Sequence, residues 1–185
     1  MKRLIAAVAF LFAPAPASAQ ENGLDLWNRI HEVFSHPRCA NCHVGPDNIP
    51  VWSGPSYGGE PRPHGMNITG GDSRVGAEFL PCGACHMKQN APVPHGPPSA
   101  DVWALPPVEM QWIGKTSREI CAQIKDPEQN GGRTIAEIAG HVEHDELVHW
   151  GWTPGPGREP APYSIEQTVE FLRSWEAAGA PCPAG

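Results

Sequence analysis

The sequence is short of positive charge, of strand-forming runs and of long apolar stretches. Its 13 lysines and arginines face 20 aspartates and glutamates, a formal charge of −7. A chain of that balance has no basic footprint for phosphates, which argues against nucleic acid as a partner. A membrane-spanning helix needs about 20 consecutive apolar residues, and only the N-terminus offers an apolar run, so no membrane span is expected after it. Strand signals are few, while 22 prolines and 20 glycines crowd positions 45–107 and 151–162. That punctuation leaves no room for a large sheet and makes a core built from protein alone thin. Tyrosine is scarce as well, two residues against seven tryptophans.

At the N-terminus, Lys2 and Arg3 precede the apolar run Leu4 to Phe12, and small residues end in Ala17-Ser18-Ala19 before Gln20. This is the pattern of a secretory leader over 1–19, and Pro14 and Pro16 cut the run too short for an anchor. Export predicts a periplasmic location, and loss of Lys2 and Arg3 with the leader takes the formal charge from −7 to −9. Residues 20–185 are then one domain's worth of chain. Pro106-Pro107 marks where a sub-boundary between two halves would fall.

Six cysteines remain to be placed, and four of them fall in Cys39-Ala40-Asn41-Cys42-His43 and Cys82-Gly83-Ala84-Cys85-His86. C-x-x-C-H is the peptide that attaches a c-type haem. Three residues apart, the two sulfurs lie on one side of a helical turn and reach both porphyrin vinyl groups, and the next imidazole points at the iron. Two copies predict two covalently bound haem c groups, with Cys39, Cys42, Cys82 and Cys85 as attachment points and His43 and His86 as iron ligands. Zinc held by the two C-x-x-C pairs is the competing chemistry. The 39 residues between the pairs exceed ribbon spacing, and zinc leaves the histidine after each pair unexplained.

Four helices are expected. Leu24, Trp27, Ile30, Val33 and Phe34 recur at helical spacing over about 22–36. Thr116 with Glu119, Thr134 with Glu137, and Ser164 with Gln167 are capping boxes. They open helices carrying Ile120 and Ile124; Ile135, Ile138, Val142 and Val148; and Ile165, Val169, Leu172 and Trp175. The expected fold is mainly α, a loop-rich c-type cytochrome domain with about four helices wrapped around two haems. Cys121 and Cys182, left over in an oxidising compartment, are expected to form a disulfide, the alternative being two separate structural thiols.

The sixth iron positions are the open question among His31, His36, His64, His95, His141, His144, His149, Met66, Met87 and Met110. On the third helix His141 lies about 60° from Ile138 and His144 about 120° away, so His141 faces the apolar side and His144 faces water. His64-Gly65-Met66 sits in a loop made rigid by Pro61 and Pro63 and free by Gly70-Gly71. His64 and His141 are the expected ligands, with Met66 and Met110 as runners-up. Trp52, Trp103, Trp112, Trp150 and Trp152, in loops or at helix ends, are candidates to cover haem faces. Arg133 and Arg158 are candidates to pair with haem carboxylates.

The stretches GKTSREICAQIKDPEQNGGR at 114–133 and VHWGWTPGPGREPAP at 148–162 resemble a family of small exported proteins with two C-x-x-C-H motifs. So do NCHVGPD after the first motif, Pro-His-Gly-Met-Asn at 63–67 and the closing Gly-Ala-Pro-Cys-Pro. Members are often labelled as a subunit of isoquinoline 1-oxidoreductase, a molybdenum hydroxylase. This chain has neither an iron–sulfur cysteine pattern nor the length for a molybdopterin domain, so the resemblance implies an accessory cytochrome drawing electrons from such an enzyme. The residues themselves predict an electron carrier between a dehydrogenase and a downstream acceptor. The rival is a small peroxidase-like or thiol-oxidising enzyme in which one iron keeps an open site.

Overall fold

The computed structural model describes residues 17–77 and 80–184. The leader expected over 1–19 therefore lies almost wholly outside the described residues. Helix α1 (Ala17–Phe34) presents Trp27, Ile30 and Val33 inward, none of them exposed. The expected continuation to residue 36 does not occur. Pro37 crowds the backbone of the residue before it and disfavours the helical conformation there, so His36 is extended at φ −64° and ψ 143° and caps a new single turn, α2 (Pro37–Ala40). That restart carries Cys39, so the helix break sets the direction of the first motif.

The three capping boxes form as the sequence predicts. Thr116 opens α3 (Ser117–Lys125), Thr134 opens α4 (Ile135–His144) and Ser164 opens α6 (Ile165–Ala177). In each, the hydroxyl accepts from the backbone N–H three residues on, and the Glu or Gln side chain accepts from the cap's own N–H. The third helix is shorter than expected. Asp145 turns out of helical conformation and its carboxylate accepts from the N–H groups of Leu147 and Val148, which starts a separate turn, α5 (Glu146–His149). Val148 thus belongs to α5, because an aspartate that can cap is a poor helix interior.

Helix α6 packs against both α1 and α4, and α3 packs against α1. Trp27 and Trp175 meet at the centre with ring centroids 5.0 Å apart. Their indole N–H groups find partners at the rim, Trp27 donating to Ser117 Oγ (2.8 Å) and Trp175 to the Pro181 carbonyl (3.0 Å). The C-terminal tail crosses α1 at Gly23, where a Cβ would sit 2.5 Å from Pro181 Cγ. Cys121 and Cys182 form a disulfide across 61 positions, and Lys125 Nζ donates to the Ala180 carbonyl (2.7 Å) beside it. The thin core is thereby closed by a covalent staple between α3 and the tail.

The described residues between 44 and 107 run as loops and single tight turns with two short antiparallel ladders, β1 (Val51–Trp52) with β2 (Arg62–Pro63), and β3 (Gly76–Ala77) with β4 (Leu80–Pro81). Gly76 has φ +114° and lies so close to the second motif that a Cβ would fall 2.4 Å from Cys82 N. Arg74, 9% exposed, ties this segment down by donating to Asn48 Oδ1 and to the Val44 carbonyl. After Pro106-Pro107, Trp112 N–H donates to the His43 carbonyl (2.9 Å) of the first motif; before it, Leu105 N–H donates to the Arg74 carbonyl (2.7 Å). Among the described residues no helix is long and apolar enough to cross a membrane.

Candidate functional site

The two C-x-x-C-H peptides adopt the same turn in different surroundings. In the first, the N–H groups of Cys42 and His43 both donate to the Cys39 carbonyl; in the second, those of Cys85 and His86 both donate to the Cys82 carbonyl. None of the four motif cysteines is in a disulfide. Burial pushes Cys39 up to about 12 and Cys42 up to about 11, and raises Cys82 as well.

Each motif histidine is fixed by one ring nitrogen and one aromatic face. His43 Nδ1 donates to the Met110 carbonyl (2.8 Å), and His86 Nδ1 donates to the Pro98 carbonyl (3.0 Å). A bond of this kind sets the tautomer and leaves Nε2 as the free lone pair. Burial pushes His43 down to about 3 and His86 to about 4, so both are neutral, as a metal ligand must be. Trp112 lies flat on His43 at 3.4 Å between centroids, and Trp103 flat on His86 at 4.2 Å. Trp112 is itself held between His43 and Phe34 (4.6 Å), and its indole N–H donates to Gln123 Oε1 (2.8 Å). The core helices α1 and α3 therefore set the orientation of the first motif's imidazole.

Two cavities open beside these histidines. One, of about 310 Å³, is walled by Cys82, Cys85 and His86 together with His64 and Met66. The other, of about 250 Å³, is walled by Cys39, Cys42 and His43 together with His141 and Met110. Each expected sixth ligand thus shares a cavity with one motif, and so does each runner-up. The five tryptophans singled out in the sequence all line one cavity or both, and Arg158 and Arg133 line the first and second respectively.

The first cavity has the sharper geometry. The ladder between β1 and β2 sets His64 edge-on to Trp52, with centroids 5.7 Å apart. His64 Nδ1 bonds the Gly65 carbonyl (3.0 Å), and its ring stands 6.2 Å from that of His86. Two imidazoles on opposite sides of one metal, each about 2 Å from it, would have centroids roughly 6 Å apart. Met66 is 79% exposed on a left-handed backbone at φ 58°, so it sits at the rim.

In the second cavity His141 Nδ1 lies 3.4 Å from Asp145 Oδ2, with the His141 side chain 40% exposed and that of His144 76% exposed. The helical-wheel order of the two is as expected, although His141 is less covered than an apolar-face position implies. The carboxylate leaves His141 Nε2 as its free nitrogen. Met110 is buried, but its carbonyl is the one that holds His43 Nδ1, which puts its backbone on the side of that ring away from Nε2.

Among the described residues no group of three or more His, Cys, Asp or Glu converges on a point that could hold a bare metal ion. The two C-x-x-C pairs are accordingly not gathered into a zinc site. Paired cysteines, a neutral imidazole with a fixed Nδ1–H, a second imidazole in the lining and walls of tryptophan suit a flat apolar macrocycle with a coordinated metal, and each cavity has this set. The sequence held no signal for the Met110 and Pro98 carbonyls, which are backbone atoms brought in by the fold. It also left out Arg38, which lines both cavities. Comparison with family models, with curated proteins and with solved structures finds no match for the chain.

Proposed function

We propose that the chain is an exported c-type cytochrome carrying two covalently attached haems, and that it moves electrons between a periplasmic dehydrogenase or oxidoreductase and a downstream acceptor. The observation that carries this reading is the repeated unit: two C-x-x-C-H turns with the same hydrogen bonds, each placing its cysteines and a neutral, Nδ1-anchored histidine on a cavity wall. Haem iron supplies a one-electron couple when bound. Cys39 and Cys42 with His43 and His141, and Cys82 and Cys85 with His86 and His64, are the residues that would hold the two groups, the cysteines as attachment points and the histidines as iron ligands. Trp112 and Trp103 lock the imidazole planes, and the surrounding tryptophans keep water from the faces. Resemblance to proteins labelled as a subunit of a molybdenum hydroxylase makes such an enzyme the natural electron donor.

The two cavities share Arg38, Cys42, Trp103, Leu105 and Trp150. A shared wall supports transfer between two centres within one small domain. A second reading, a small redox enzyme with one exchangeable site, is favoured by the half-exposed His141 and its Asp145 partner, which resemble a distal acid–base pair. Addition of carbon monoxide to the reduced protein separates the two. An unchanged low-spin spectrum supports the carrier; a shifted Soret band from one of two haems supports the enzyme.

A further inference from the structure

The wall between the cavities carries two guanidinium groups that no carboxylate contacts among the described residues. Arg38 is 5% exposed and lies in α2 just before the first motif cysteine. Its guanidinium carbon is 5.7 Å from the Trp150 ring centroid, and that of Arg158 is 5.8 Å from the same ring. Their hydrogen bonds go to backbone: Arg38 Nη2 to the Ser53 carbonyl (2.9 Å), and Arg158 to the carbonyls of Pro154 (3.2 Å) and Gly96 (2.5 Å). No carboxylate stands within 4.0 Å of either guanidinium among the described residues. Glu159 attracts the Arg38 charge from beyond contact distance, and its carboxylate accepts from the Ser56 hydroxyl (3.1 Å).

Holding the buried Arg38 guanidinium beside the half-buried Arg158 over one ring costs free energy unless an anion joins them. Two buried donors in the same wall also lack partners, Arg38 Nε and Trp150 Nε1. Trp150 is 8% exposed, so neither donor is reached by bulk water. Planar guanidinium groups with spare N–H donors pair bidentately with carboxylate or phosphate groups, and the carboxylates at hand on the haem reading are those of the porphyrins.

We propose that Arg38, Trp150 and Arg158 form a carboxylate site at the seam of the two cavities, which takes the acidic side chains of the porphyrins. Arg38, lining both cavities, serves both cofactors; Arg158, lining the first alone, serves one. This rests on the haem reading above. The three residues are positioning residues, since they touch the edge of the cofactor and not the iron.

The test is spectroelectrochemical titration of the holoprotein with covalent haem counted beforehand. Removal of a buried positive charge favours the oxidised iron. Arg38→Gln is therefore expected to keep two covalent haems and lower both midpoint potentials, with partial recovery in Arg38→Lys. Arg158→Gln is expected to lower one. Trp150→Phe keeps the ring but loses the N–H, and should lower both by less. It stands in if the Arg38 variants fail to fold. Lys115→Gln, an exposed charge beside α3, should move neither. Unchanged potentials in Arg38→Gln, or in Trp150→Phe where the former does not fold, would overturn the site, as would a shift confined to one haem. Wild-type protein lacking covalent haem would overturn the underlying reading, and shows itself before any variant is titrated.

Discussion

His64 and His86, 22 positions apart in a segment dominated by loops, face one cavity with ring centroids 6.2 Å apart and both Nδ1 atoms engaged by backbone carbonyls. On the haem proposal, loss of either imidazole would change the spin state of the iron the pair would hold. In the holoprotein His64→Ala is expected to convert one haem from low to high spin and open it to carbon monoxide, and His141→Ala to do the same to the other. His144→Ala, on the solvent side, should do neither. Optical and paramagnetic resonance spectra check this. A weak near-infrared methionine-to-iron band, abolished in Met66→Ala or Met110→Ala, would instead assign that iron a sulfur ligand.

The disulfide between Cys121 and Cys182 closes a loop of 61 positions, for which the chain-entropy model gives about 4 kcal/mol. Cys121→Ser is expected to lower the melting temperature by roughly 8–16 °C and to leave the visible spectrum unchanged, because the bridge joins α3 to the tail and lines neither cavity. Calorimetry and absorbance on the same sample test both halves of that statement.

The capping carboxylate of Glu137 accepts from Thr134 N–H and Oγ1–H, and these bonds hold it below its ordinary value of 4.5. A carboxylate whose folded pKa is depressed contributes stability above its unfolded pKa and loses it as pH falls through the folded one. Melting temperature should therefore drop as pH is lowered below about 4.5, and Glu137→Gln, which cannot titrate, should show a shallower drop. Equal slopes for the two proteins would assign the acid sensitivity to other groups, Glu119 in the matching box on α3 among them.

Local chemistry explains what could be read in the chain beforehand. Capping boxes and the C-x-x-C-H turns are complete within five residues, so Thr116, Thr134, Ser164 and both motifs folded as expected. The two helix breaks were also local, but weaker signals decided them: Pro37 acting on His36, and Asp145 preferring to cap α5. Long-range placement was legible where two cysteines were left over beside a leader-like N-terminus, as at Cys121 and Cys182, and where a histidine had few places to go, as at His64 and His141. The histidine-holding carbonyls of Met110 and Pro98 carry no side-chain signature. The convergence of Arg38 and Arg158 on Trp150 brings Arg38 to two residues 112 and 120 positions away that no periodicity connects to it.

The central claim is that each C-x-x-C-H turn holds a haem covalently, and denaturing mass spectrometry of the exported protein after acid–acetone extraction and alkylation tests it most directly. The account predicts a mass increase of two haems, no alkylation at Cys39, Cys42, Cys82 or Cys85, and loss of one haem in Cys39→Ala and in Cys82→Ala. A bare polypeptide mass with all four of those thiols alkylated would contradict it.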